Sequence, residues 1–82
     1  MNILSHEKQA IIIACNIRRI REKAKLTEYE VAELAGIKRS VYVKYEKATS
    51  LMSILNLVKI ADALNVPADE ILFGIREALK EE

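Results

Sequence analysis

Residues that break helices are almost absent from this chain, and their scarcity is the strongest constraint on its fold. Among 82 residues there is one proline, Pro67, and there are two glycines, Gly36 and Gly74. Long alternation of apolar and polar residues, the pattern of a half-buried strand, is also missing. The chain is too short to build two hydrophobic cores. The sequence therefore predicts a single all-α domain over residues 1–82.

The first part of the chain holds two helical segments with clear boundaries. Over residues 5–24, apolar side chains recur at the spacing of one helix face, which predicts a long amphipathic first helix. Thr27 is a favourable N-cap for a second helix, and Glu30 completes a capping box with it. Gly36 ends that helix, because glycine readily adopts a positive φ. The apolar set of the first helix is Ala10, Ile13, Ile17 and Ile20.

The second part of the chain predicts two more helices and a tail. Ser53 can cap a fourth helix, whose apolar positions follow a helical period and predict one buried stripe. Asn65 can end this helix, and Pro67 suits the first turn of a fifth. Gly74 then separates the fifth helix from a C-terminal tail over residues 74–82, in which Ile75 and Leu79 are spaced for a last helical segment. The predicted stripe of the fourth helix is Ile54, Leu57, Val58, Ala61 and Leu64.

The formal net charge of +1 conceals an uneven distribution. Residues 1–50 carry ten Lys and Arg against six Glu, a net charge of +4. Residues 51–82 carry three basic against six acidic side chains, a net charge of −3. The first part is where a polyanion such as nucleic acid would bind, although ordinary solvated charge accounts for the excess about as well.

The residues that carry catalysis and metal binding are scarce. Cys15 is the only cysteine and His6 the only histidine, so one chain can form neither a disulfide nor a thiolate metal cluster. We therefore expect no enzyme, no metal, no cofactor, no small-molecule substrate and no membrane attachment. Cys15 is expected to be an ordinary buried residue of the first helix. A reducing cytoplasm fits this cysteine usage.

The stretch GIKRSVYVKYEK, residues 36–47, mixes basic and large apolar side chains. If residues 38–47 form a helix, Tyr42 and Tyr45 point towards the core. The opposite side carries Arg39, Ser40, Val43 and Lys44. A short helix, a tight turn with glycine and a second helix make a helix-turn-helix, whose second helix can enter the major groove of DNA.

Residues 14–73 resemble the Cro/cI-like helix-turn-helix domains, the lambda-repressor-like family of phage repressors and bacterial regulators. The motifs that carry the resemblance are IRRIREKAKLTEYEVAELAGI, the YE of Tyr45 and Glu46, and LVKIADALNVPADEILFG. Residues 1–13 precede this family-like part as an N-terminal extension of the first helix. The resemblance implies a compact bundle of five helices, with the helix-turn-helix at helices two and three. It also implies a sequence-specific regulator of transcription, a repressor that binds a palindromic operator in double-stranded DNA as a dimer.

By position, the resemblance implies three groups of functional residues. The helix over residues 38–47 would contact bases through Arg39, Ser40, Val43 and Lys44, of which arginine suits the paired acceptors of guanine. Phosphate contacts, which set affinity without specifying sequence, would come from Lys38, Lys47 and Thr27. The family also pairs an arginine late in helix one with the glutamate that ends the recognition helix. Here those residues are Arg21 and Glu46, a structural ion pair.

Four departures from the family pattern favour a second hypothesis. Glu28 stands where the family often has glutamine at a phosphate. Lys25 and Ala48 each replace a frequent glycine, and Leu51-Met52 replaces a frequent Asn-Pro. The alternative is a protein-interaction module on the same scaffold, an antitoxin, anti-repressor or inhibitor that binds DNA weakly or not at all. Its contact surface would consist of Ile11, Ile12, Leu51 and Met52.

A homodimer is expected because one recognition helix reads too few base pairs to be selective. Two apolar segments are candidates for the contact between subunits, the first helix and the end of the chain. We favour the end of the chain, at Ile71, Phe73, Ile75 and Leu79. A regulatory protein partner is a further expectation, because no sensor domain accompanies the module.

Overall fold

The computed structural model describes residues 3–80, and side chains from residue 7 onwards. Within this range the chain is entirely helical and turn, without a strand. The helices are α1 (Ile3–Lys23), α2 (Glu28–Ala35), α3 (Arg39–Glu46), α4 (Ile54–Ala63), α5 (Ala68–Ile71) and α6 (Ile75–Lys80). The all-α prediction is confirmed. The predicted count of five is one short in the described range, because the tail after Gly74 forms the short helix α6.

The caps that the sequence predicted set the ends of α2 and α4. The Thr27 hydroxyl accepts from the Glu30 N–H at 3.1 Å, and the Glu30 carboxylate accepts from the Thr27 N–H at 2.9 Å. Gly36 has a φ of 68° and ends α2 in the left-handed region. Ser53 caps α4 by accepting from the Asn56 N–H at 3.1 Å. The capping box, the glycine C-cap and the serine N-cap are therefore confirmed.

One continuous core forms where α1, α2, α3, α4 and α5 meet. Its members are mostly branched aliphatic side chains, with alanines where helices approach closely and two tyrosines from α3. The buried set is Ile17, Ile20, Val31, Ala32, Ala35, Tyr42, Tyr45, Ile60, Ala61, Leu64 and Ile71.

Asn16 fastens the C-terminal part of the fold to α1. Its side-chain amide lies in the interior, 8% exposed, and donates to the carbonyl oxygens of Ile71 and Phe73, both at 2.8 Å. These two carbonyls belong to the junction between α5 and α6, where the helical ladder leaves them without a full set of partners. A buried amide that satisfies two such groups fixes the direction in which α6 leaves the domain.

The predicted buried stripe of α4 is only partly correct. Ala61 and Leu64 are buried, but Ile54 is 83% exposed and Val58 54% exposed. The reason is that α4 packs against α2 and α5 through the side that also carries Ile60, so the apolar positions extend beyond the contact. The expectation for Cys15 is wrong, since this residue lies on the exposed side of α1.

Among residues 3–80, three residues other than glycine adopt a positive φ: Lys25 at 60°, Ala48 at 61° and Asn65 at 57°. Asn65 was predicted to end α4 in this way, and asparagine tolerates the conformation. Lys25 and Ala48 are the two positions at which the sequence departs from a frequent glycine of the family. Both therefore place a Cβ in a backbone conformation that disfavours it.

We expect Ala48→Gly to stabilise the domain by about 1 kcal/mol, because it removes the steric cost of a left-handed alanine. Ala63→Gly in α4 is the matched control and should lower stability by up to about 1 kcal/mol, because its φ is not positive. Urea unfolding of the three proteins measures both changes. Equal destabilisation by the two substitutions would contradict the expectation.

Candidate nucleic-acid interface

The side chains of α3 separate into a buried side and an exposed side. Tyr42 is fully buried and Tyr45 is 5% exposed, and both belong to the core. Arg39, Ser40 and Lys44 are exposed, and Val43 is half-buried beside them. We call Arg39, Ser40, Val43 and Lys44 the outer face of α3. The structure thus brings the four predicted base-contacting residues onto one side of one helix.

The buried side of α3 is anchored by the carboxylate of Glu46, a residue only 3% exposed. Arg21 of α1 donates to it twice, from Nε to Oε2 at 2.5 Å and from Nη2 to Oε1 at 2.9 Å. The Tyr42 hydroxyl donates to Oε2 at 2.6 Å. Arg21 also donates from Nη1 to the Leu26 carbonyl at 2.8 Å, which ties the loop before α2 to the same group. Arg21 and Glu46, predicted as a pair, are thus in direct contact.

Arg18 is a second arginine at this anchor, and the sequence interpretation missed it. Its Nη2 donates to the Glu46 backbone carbonyl at 2.6 Å, and its Nε lies 3.9 Å from Oε1. A cation at the C-terminal end of a helix also stabilises the helix dipole. The available signal was its position three residues before Arg21, which puts both side chains on one face of α1.

Tyr45 connects α3 to α4 in a similar way. Its hydroxyl oxygen accepts from the Asn56 side-chain amide at 2.8 Å. With Arg18 and Arg21 on the side of α1, this bond holds α3 from two neighbouring helices. The outer face is consequently presented by a helix whose position is fixed from beneath.

The pKa shifts at the anchor follow from burial and hydrogen bonding. Burial, followed by the hydrogen bond to Glu46, raises the pKa of Tyr42 well above its usual range. The hydrogen bond to Glu46 raises the pKa of Arg21. Glu28 is half-buried, and its charge also contributes to raising the pKa of both groups. The residue that departs from the family's glutamine therefore interacts electrostatically with the anchor.

The predicted phosphate-contacting residues are all exposed, two of them at the ends of α3 and one before α2. Lys38 immediately precedes α3 as its N-cap residue, and Lys47 immediately follows as its C-cap residue. Thr27 stands before α2, where its hydroxyl oxygen accepts from the Glu30 N–H. The hydroxyl proton of Thr27 is not used in that bond and can still be donated.

An aromatic residue of α2 lies against the outer face of α3. The Cζ atom of Arg39 lies over the Tyr29 ring, 5.7 Å from the ring centroid. Tyr29 is 53% exposed, so it is not a core residue. The sequence analysis did not single out Tyr29, because its contact with Arg39 depends on how α2 and α3 cross, which the sequence does not specify.

The predicted dimer contact is wrong at one of its four residues. Ile71 is fully buried in the chain's own core and has no surface to offer a second subunit. Phe73 is 74% exposed and Leu79 is 50% exposed, while Ile75 is half-buried. These three residues remain available at the C-terminal end of the described chain.

A second exposed apolar surface lies at the start of α4. We call it the α4 apolar face, and it consists of Leu51, Ile54, Leu55 and Val58. Met52, predicted with Leu51 as a protein contact, instead packs against the core. In α1, Ile11 is exposed and Ile12 is half-buried, so the surface of the alternative hypothesis is only partly accessible.

The described residues contain no group of three or more His, Cys, Asp and Glu side chains arranged to hold a metal ion. The His6 side chain lies outside the part that the structure describes. None of the described helices is long and apolar enough to cross a membrane.

Comparison with known proteins places this geometry in a family. Residues 17–71 match the helix-turn-helix family. The chain belongs to that helix-turn-helix family. It is also similar to the cryptic phage CTXphi transcriptional repressor RstR of Vibrio cholerae, with 41% identity over 51 residues. That match covers 62% of this chain and 46% of the repressor, so the chain spans less than half the length of this relative.

Two solved structures share the fold. The restriction-modification controller protein C.AhdI from Aeromonas hydrophila superimposes with a TM-score of 0.74 and 26% identity, covering 76% of this chain and 94% of that one. The hypothetical transcription factor NHTF from Neisseria superimposes with a TM-score of 0.79 and 26% identity, covering 94% of this chain and 88% of that one. The family match and the two solved structures agree on the helix-turn-helix fold.

The raised pKa of Tyr42 predicts a loss of stability in alkali. Above pH 10 the unfolded tyrosine ionises while the folded one keeps its proton, so the unfolded state binds fewer protons and is favoured as pH rises. The loss should approach about 1.4 kcal/mol per pH unit. Tyr42→Phe should be less stable at pH 8 and should lack this component of the slope. Denaturant unfolding from pH 8 to 11 measures it, and identical slopes would refute the assignment.

Proposed function

We propose that this helix-turn-helix chain is a sequence-specific regulator of transcription that represses by inserting α3 into the major groove of an operator. The observation that carries the proposal is the outer face of α3. Its polar side chains, Arg39, Ser40 and Lys44, are exposed on a helix whose other side is anchored through Glu46. A groove that admits one α-helix requires such a helix, rigidly held and polar on its outer side.

Each residue of the outer face has a distinct chemical role in this proposal. Arg39 presents two N–H donors to the N7 and O6 acceptors of guanine. Ser40 donates or accepts according to the base, and Lys44 donates to an acceptor or a phosphate. Val43, half-buried at the edge of the face, contacts the methyl group of thymine.

The exposed residues around α3 would set the register on the duplex. Lys38 and Lys47 stand at the two ends of α3, so each can approach a phosphate on its own side of the groove. Thr27 can donate its hydroxyl proton to a third phosphate. Such contacts release counterions and make binding strongly dependent on salt concentration.

Arg39→Ala combined with Lys44→Ala should lower operator affinity by about 100-fold or more, because it removes two direct contacts to bases. The matched control, Lys23→Ala with Lys80→Ala, also removes two exposed positive charges and should change affinity by less than about fivefold. Fluorescence anisotropy with a duplex selected from random sequence, at two salt concentrations, measures both. Equal losses in the two double variants would mean that only net charge is recognised, and would refute the proposal.

The proposed regulator acts as a homodimer on a palindromic site in the cytoplasm. The support for a dimer is the exposed apolar surface at Phe73 and Leu79, together with the small number of base pairs that one α3 can read. A closed twofold contact would place two outer faces on successive half-sites of one side of the duplex.

Phe73→Glu should convert the dimer to a monomer by placing a charge in the subunit contact. Ile54→Glu is the control, because it places the same charge at another exposed apolar residue, on the α4 apolar face, and it should leave the dimer intact. Light scattering after size exclusion gives the mass of each variant. If only Ile54→Glu dissociated the dimer, the subunit contact would be assigned to the α4 apolar face instead.

The α4 apolar face favours a second candidate function, the binding of another protein. Exposed aliphatic side chains that lie together, as these four do at the start of α4, are a feature of surfaces that bind other proteins. Leu51 and Ile54 are the residues to alter, since Met52 packs against the core. If the regulatory activity survives Arg39→Ala with Lys44→Ala but is lost in Ile54→Glu, protein binding is the function and DNA binding is not.

A further inference from the structure

We infer that Tyr29 is a positioning residue that holds the Arg39 guanidinium for reading guanine. The inference rests on the proposed function and adds a residue of α2 to the recognition surface. It begins with a cation–π contact, in which Arg39 Cζ lies over the Tyr29 ring, 5.7 Å from its centroid. This distance is within the range of an attractive interaction between a cation and an aromatic face.

The stacking leaves the hydrogen-bonding capacity of Arg39 unused. Among the side chains described, from residue 7 onwards, the Arg39 guanidinium makes neither a hydrogen bond nor an ion pair, in contrast to Arg18 and Arg21. A guanidinium is planar, so its face can contact a ring while its N–H groups point outward from the edge. The Tyr29 ring thus lies beside the Arg39 guanidinium, whose donors remain available to a base.

The burial of Tyr29 argues against a role in the core. Tyr29 is 53% exposed, whereas Tyr42 and Tyr45 are buried and hydrogen-bonded to Glu46 and Asn56. At an exposed position of α2 without a function, a polar residue would serve as well as tyrosine. What Tyr29 contributes in this structure is an aromatic surface against Arg39, at the first residue of α3.

The stacking also explains how a long exposed side chain can be selective. A free arginine loses rotamer freedom when it binds, which weakens the contact. Arg39 is already restricted by the Tyr29 ring, so less freedom is lost when it meets guanine. The effect appears only where Arg39 contacts a base, and it should therefore raise specific affinity and leave non-specific affinity unchanged.

The first test needs no DNA. In the free protein, the ring current of Tyr29 should shift the Arg39 Nε–H proton resonance upfield. The shift should persist in Tyr29→Phe, which keeps the ring, and disappear in Tyr29→Leu, which keeps only an apolar side chain. An Arg39 resonance that is the same in the wild type and in Tyr29→Leu would overturn the inference, whatever the chain binds.

The second test uses a duplex selected from random sequence by the wild-type protein, with a mixed-sequence duplex as the non-specific probe. Tyr29→Leu should weaken binding to the selected duplex about fivefold, with unchanged salt slope and unchanged binding to the mixed duplex. Tyr29→Phe should match the wild type. In an Arg39→Ala background, Tyr29→Leu should have no further effect.

Three results of the second test would overturn the inference. If Tyr29→Phe weakened binding to the selected duplex as much as Tyr29→Leu, the effect would belong to the hydroxyl group. If Tyr29→Leu caused the full fivefold loss in the Arg39→Ala background, Tyr29 would act independently of Arg39. A failure to select any preferred duplex would refute the proposed function, and with it the reading role of Tyr29. That last failure is distinguishable, because the Arg39 resonance would still report the stacking.

Discussion

The carboxylate of Glu46 is the group on which the arrangement of this domain depends. A buried charge is costly unless it is paired and hydrogen-bonded. Here Arg21 and Tyr42 together supply three donors, and Arg18 bonds the carbonyl of the same residue. These contacts bring together the end of α3, the C-terminal part of α1 and, through Leu26, the loop before α2. Loss of either Arg21 or Glu46 would leave the other's charge stranded, so the two are needed together.

Because α3 is held from its inner side, its outer side is free for another use. Eight residues of helix provide a buried side with Tyr42, Tyr45 and Glu46, and an exposed side with Arg39 and Lys44. Attachment through Asn56 and the arginines of α1 limits how far the helix can shift or rotate. A surface fixed in this way loses little conformational freedom on binding, which is the condition for discriminating between bases rather than merely attracting phosphate.

The outer face of α3 and the two main groups of exposed apolar side chains lie on different helices. The basic outer face belongs to α3, whereas most of the exposed aliphatic and aromatic side chains lie on or next to α4 and α6, with Ile11 on α1 and Tyr29 and Leu34 on α2. A small domain has limited area to bury, and these apolar residues extend past the contacts that its own helices make. Contact with a polyanion and contact with protein surfaces can therefore operate at the same time without competing for one site.

Much of the local structure could be predicted because it depends on neighbours in the chain. Thr27 and Glu30 form a capping box, Gly36 ends α2, and Tyr42 and Tyr45 face inward, as spacing alone indicated. The helical class and the family followed from the scarcity of breakers and from the motifs. Residue spacing does not specify the angle and separation of two helices. The contacts that the sequence analysis predicted wrongly or missed depend on that angle and separation.

Tertiary packing decided the remainder. The sequence predicted an apolar stripe for α4 but not that Ile54 and Val58 would extend beyond α2 and α5. It placed Ile71 with Phe73 at a surface, whereas Ile71 is buried in the core. The contacts of Asn16 with the α5–α6 junction, of Arg18 with Glu46 and of Tyr29 with Arg39 join residues of different helices. Helical periodicity determines which side chains share a face, but only the assembled helices determine what each face meets.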